Sequence, residues 1–146
     1  MPYLGIMNEN LKRNTAMHKF ESITDLPGIK RLITKGGEKV KIYYRKNRDN
    51  LGLDLGMGLD FVKKHHSLPD TEDLLKTHYG LLCEIQTQIA VEDLFCSFQG
   101  ESYSPEGEAA PFIKSQGLFH TSMSVGDIIK YGDTYYFVDS YGMTKM

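Results

Sequence analysis

The groups of this 146-residue chain that could do metal or covalent chemistry are five histidines, two cysteines and a scatter of carboxylates. His65-His66, with His78 and Asp60, contains the nitrogen and oxygen donors of a metal site. Adjacent histidines on a helix point in different directions, however, and no His-x-x-x-His spacing puts two ligands on one face. A solvated helix end is expected there, with no metal. His120 near Ser122 and Ser124 has the residue types of a base and a nucleophile, without a Gly-x-Ser-x-Gly elbow. Such a polar cluster just before a strand satisfies turn amides with its side chains. Glu101, Glu106 and Glu108 would meet a helix dipole rather than form an acid-base pair. Gly56-Met57-Gly58 lacks the third glycine of a nucleotide-binding loop, position 61 being Phe61. Cys83 and Cys96, with no Cys-x-x-Cys, read as two buried thiols rather than a disulfide or a redox pair. No catalytic residue, metal or cofactor is expected.

Binding suits the composition better. Tyr43, Tyr44, Arg45, Lys46 and Arg48 interleave rings with cations, as single-strand nucleic-acid binders do. The bland reading of the two tyrosines is the ordinary strand alternation between core and surface. Charge is divided along the chain: positions 1 to 50 carry 11 basic and 5 acidic residues, a net of +6, and the remainder 6 and 14, a net of −8. The basic half could meet phosphates or an acidic partner and the acidic half a basic protein, unless the two neutralise each other. Nine tyrosines and no tryptophan, with Tyr103, Tyr131, Tyr135 and Tyr141 toward the C-terminus, favour a protein-binding surface. We therefore expect a protein partner, with nucleic acid as the alternative. Tyr43, Tyr44, Arg45, Lys46, Arg48, Tyr103, His120, Ser122 and Tyr141 are the candidate contact residues.

The elements that must carry these residues are short. Residues 1 to 24 show no sustained period and read as an arm that could reach a neighbouring subunit; a single domain is expected from 25 to 146. Asp25 to Ile33 reads as a short helix capped near Asp25, with Pro27 in its first turn. Glu38 to Lys46 alternates, predicting a strand that buries Val40, Ile42 and Tyr44 and leaves Lys39, Lys41 and Tyr43 on a wet face. Leu51 to Asp60 is too rich in glycine for a definite element and reads as a loop with room for a ligand backbone. Phe61 to His66 closes a short helix, and Asp70 caps another through Thr77. Tyr79 to Gln88 is a second strand. Val91, Leu94, Phe95 and Phe98 recur at helical spacing, with Leu94 and Phe95 expected against the sheet. Ser104-Pro105 looks like a helix entrance, but Pro111 moves the helix to about Ala110 to Gln116, closed by Gly117. Ile128 to Tyr131 and Thr134 to Asp139, broken by Gly132-Asp133, form a hairpin. The fold class is α+β: a small single domain with a mainly antiparallel sheet and a C-terminal β-hairpin, packed by short helices. No apolar run approaches a membrane span and no secretory signal opens the chain, so a cytoplasmic protein is expected.

Gly100-Glu101-Ser102-Tyr103-Ser104-Pro105-Glu106-Gly107-Glu108-Ala109, followed by Gly117-Leu118 and His120 to Asp127 (HTSMSVGD), resembles a small protein family carried by bacteriophages and bacterial mobile elements. From Ser124 to Gly142 the chain is also similar to the C-terminal motif of YodL-like domains. The likeness spans about Tyr79 to Met146 and brings no catalytic or binding residue with it. It implies a phage or mobile-element origin and an accessory role in the cytoplasm of a bacterial host.

Overall fold

In Glu38–Arg45 (β1), Val40, Ile42 and Tyr44 have no exposed surface, as the two-residue period of the sequence requires. The computed structural model describes residues 22–99, 103, 107–118 and 120–146. Residues 1–21 of the anticipated N-terminal arm, and the Ser104-Pro105 entrance with Glu101 and Glu106, lie outside these residues, whereas Ser22 to Thr24, also assigned to the arm, belong to a capped 3-10 turn with Ile23 in the core. The remaining strands are Tyr79–Thr87 (β2), Ile128–Tyr131 (β3), Thr134–Asp139 (β4) and Gly142–Lys145 (β5). They form one antiparallel sheet in the order β2-β1-β3-β4-β5. The fold is thus α+β, a small single domain ending in hairpin strands. β5 was not foreseen: it follows the two-residue turn Ser140-Tyr141, with Gly142 at φ +121°.

The helices are short, as their caps dictate. Pro27–Lys30 (α1) starts on Pro27, while Asp25 belongs to a preceding 3-10 turn and accepts from the Ser22 amide at 3.1 Å. The glycine-rich segment departs from the expected loop. Asn50–Asp54 (α2) is capped by Asp49, which accepts from the Gly52 amide at 2.8 Å, and a 3-10 turn leads into Leu59–His65 (α3). A Cβ on Gly52 would lie 2.2 Å from the Lys46 carbonyl oxygen, so this glycine admits the chain's own backbone. Thr71–His78 (α4) takes the predicted Asp70 cap, with 3.0 Å from the Asp73 amide. Val91–Ser97 (α5) and Ala110–Ser115 (α6) complete the set, α6 with Pro111 in its first turn.

These helices cover both faces of the sheet. On one face Val40, Ile42, Tyr44, Ile129 and Val138 pack with Ile29, Leu94, Phe98, Ile113 and Met123. Phe95 is only half buried, so Phe98 rather than Phe95 joins Leu94 inside. On the other face Tyr79, Ile128 and Phe137 pack with Leu55, Leu59, Val62, Leu74 and Leu75, and Tyr43 leans on that group. The face expected to be wet is therefore covered around Tyr43 and open toward Lys39. A bulge in β2 beside Ile42-Tyr43 places Leu82 and Cys83 together in the first core.

Candidate functional site

The predicted residues gather around a buried polar hub at the join of β1 and the loop before β3, and one of them, Tyr141, lies apart on the exposed β4–β5 hairpin. The hub is built on Asp127, which has no exposed surface. Its carboxylate accepts from the Arg45 amide (2.9 Å), the Ser124 amide (2.8 Å) and His120 Nε2 (2.9 and 2.8 Å to its two oxygens). Burial raises the Asp127 pKa above the ordinary carboxylate value, against the downward pull of His120 and the two amides. The imidazole stacks on Tyr44, centroids 4.6 Å apart, and its Nδ1 is buried without a hydrogen-bond partner among the described residues. The Tyr44 hydroxyl donates to the Thr121 carbonyl at 3.0 Å, and burial pushes its pKa up.

Arg45 points inward. Its Nε donates to the Val125 carbonyl at 3.1 Å and its Nη1 to the Gly52 carbonyl at 3.3 Å and to Asn47 Oδ1. The Tyr79 hydroxyl donates to the Gly126 carbonyl. These groups tie separate segments together, and the amides of Arg45 and Ser124 are met by Asp127 rather than by the His120, Ser122 and Ser124 side chains expected to satisfy turn amides. The Ser122 hydroxyl donates to the Tyr103 carbonyl at 3.3 Å rather than to His120, so this histidine and serine do not make a base–nucleophile pair. Tyr103 is buried against Phe98. Asp127, the centre of the hub, was missed as a site residue. Its signal was positional: a carboxylate after Val-Gly at a strand entrance, within reach of turn amides.

The nine candidate contact residues therefore separate. Tyr44, Arg45, Tyr103, His120 and Ser122 belong to the hub or its surround. Tyr43 is half covered by the helices of the second core, Lys46 is partly buried and Arg48 is exposed. Tyr141 stands alone at the tip of the β4–β5 turn, fully exposed. The candidate metal donors do not converge: His66 Nε2 lies 2.7 Å from Asp54, His78 Nδ1 3.4 Å from Asp49, and His65 packs on Phe61. Among the described residues no three His, Cys, Asp or Glu side chains are placed to hold a metal. Cys83 is buried as expected, whereas Cys96 is exposed, because α5 turns that side of itself away from the core.

A hollow lies on each face of the hairpin. One, of about 280 Å³, is lined by Met57, Asp60, Phe61, Tyr141 and Thr144 among others. The second, of about 340 Å³ and mostly apolar, is lined by Phe95, Cys96, Val138 and Met143 with Glu92. Asp139 locks the hairpin to α3: its carboxylate accepts from the Leu59 amide at 3.1 Å and the Thr144 hydroxyl at 2.7 Å. A third hollow, of about 530 Å³, sits on the open end of the sheet among Lys39, Lys41 and Lys130, with Glu38 and Asp133. No helix among the described residues is long and apolar enough to cross a membrane. No protein-family model matches the chain, and comparison with curated proteins and with solved structures gives no match.

Proposed function

We propose that this chain is a non-enzymatic accessory protein of a phage or mobile element, acting in the bacterial cytoplasm by binding a host or phage protein through its C-terminal hairpin. One observation carries the reading: Tyr141 is fully exposed at a tip that Asp139 holds rigid, between two hollows and near the exposed Met57. An aromatic ring that folding does not use, on a pre-organised element beside pockets, has the properties of an interface anchor. The polar side chains of Arg45, His120, Ser122 and Asp127 make hydrogen bonds between separate segments of the chain, which supports a structural role for that cluster. The test is photo-crosslinking from position 141 in host cells, with Tyr141→Ala as the control. A discrete crosslinked partner that Tyr141→Ala no longer captures on affinity resin supports the reading. No partner, together with tight oligonucleotide binding, overturns it.

The nucleic-acid alternative keeps one specific support, the lysine-lined hollow on the open end of the sheet. Lys41 lies directly opposite Lys130 across β1 and β3, a like-charge pair that an anion would relieve. Glu84, opposite Lys41 on β2, and Glu72, 3.8 Å from the Lys130 ammonium, supply part of that relief internally, which ranks this reading second.

A further inference from the structure

We infer that β5 is the acceptor edge for an extended segment of a partner protein, which adds antiparallel to the sheet and presents a basic-apolar-basic run of side chains. The inference rests on the hairpin reading above and specifies the partner's chemistry. β5 ends the strand order, so one of its sides faces no other strand among the described residues. The Met146 amide donates to the Tyr135 carbonyl at 2.9 Å, which makes that pair a hydrogen-bonded one; in the register Phe137↔Thr144, the alternation turns Thr144 toward β4 as well. The main-chain groups of Met143 and Lys145 therefore point to the open edge. Among the described residues none forms a backbone hydrogen bond with them there.

The hollows define what an added strand would carry. Residues directly opposite each other in an antiparallel pair project to the same face. The side chain opposite Met143 would thus lie on the Met143 face, over the apolar hollow of Phe95, Cys96 and Val138. Its two neighbours, opposite Gly142 and Thr144, would project to the other face, where the exposed Asp60 lines the second hollow. With Asp139 committed to α3 and Thr144, Asp60 is the carboxylate that a cation would meet. Main-chain bonds would supply affinity, and the alternating pockets would supply specificity. A second copy of this chain is a poorer occupant, because its own edge sequence, Gly142-Met143-Thr144-Lys145, has no basic-apolar-basic run. The four-residue edge and Lys145 also blunt self-pairing.

The experiment uses the full chain and three fluorescein-labelled peptides, Thr-Thr-Lys-Val-Lys-Thr-Thr and its Glu-Val-Glu and Lys-Ser-Lys counterparts, followed by anisotropy. The Lys-Val-Lys peptide should bind at least about tenfold tighter than the others. Lys145→Pro removes an outward amide and spares the bonds to β4, and should weaken that binding by about tenfold. Asp60→Lys should invert the preference toward Glu-Val-Glu. Equal affinity for all three peptides, or indifference to Lys145→Pro in a variant that melts like the parent, overturns the inference. Self-association in sedimentation that Lys145→Pro abolishes would make a second copy the occupant and also overturns it. If Tyr141→Ala releases the crosslinked partner and Lys145→Pro does not, strand addition falls and the hairpin reading stands; if neither releases it, both fall.

Discussion

Asp127 is a carboxylate with no exposed surface, held by two main-chain amides and one imidazole. Truncating it would leave three donors facing a void, and each buried donor left without a partner costs about 1–3 kcal/mol. Asp127→Ala should therefore lower the Tm by roughly 10 °C, read by circular dichroism; a loss within the error of the melt would reject the hub as a structural centre. The cysteines allow a second test at this scale. Burial pushes the Cys83 thiol up to about 12, while Cys96 is exposed. One thiol, Cys96, should react with a disulfide reagent in the native state, and the second only on unfolding. Raised acids also set a pH dependence. The folded state holds the Cys83 proton more tightly than the unfolded chain, so the stability contributed is fully present below the ordinary pKa of 9.0 and lost as pH rises through about 12. The buried Tyr44, Tyr79 and Tyr103, all raised above 10.0, act in the same direction. From these groups, thermal melts should fall as pH rises above about 9; melts unchanged between pH 9 and about pH 11 would contradict this.

Among the elements, the turns carry more constraint than the α-helices described, none of which reaches three turns. Gly126 precedes Asp127 at φ +98°, and a Cβ there would stand 2.8 Å from the Leu55 carbonyl oxygen and 2.7 Å from Arg45 Cδ. Gly142 has φ +121° but open space around it. Both alanine substitutions incur backbone strain of about 1–3 kcal/mol, whereas only Gly126→Ala adds a backbone clash. Urea unfolding should rank Gly126→Ala as clearly the more damaging, and the reverse order would mean that the Arg45 loop yields freely. Gly142→Ala bears on function too, since it strains the turn that holds Tyr141 out.

Across the whole molecule, the sheet is a wall between two apolar clusters, closed at the Tyr43 end and open at the Lys39 end. This layout sets what each cation can do. Arg45 points between loops, so Arg45→Ala should reduce stability and leave oligonucleotide binding unchanged across a salt series. Lys41→Ala combined with Lys130→Ala should abolish whatever weak, salt-sensitive binding exists. A tight signal lost in Arg45→Ala without loss of stability would restore the basic-strand reading over the protein partner.

The alternation Val40, Ile42, Tyr44, the Gly132-Asp133 break and the Asp70 cap are local patterns, and each was legible because a period or a cap is set by neighbours a few residues away. The antiparallel α+β class followed from them. The site was much less legible. Alternation says which side chains share a face but not which face remote helices will cover, so Tyr43 went from wet to half covered and Phe95 from core to pocket rim. Gly142-Met143-Thr144-Lys145 has little intrinsic strand character and becomes β5 through its pairing with β4. Arg45 and Asp127 are 82 positions apart, and only the assembly of β1 against the loop before β3 made one an internal strut and the other its buried anchor. Burial and hydrogen-bond partnership are long-range properties, settled when the chain closes on itself.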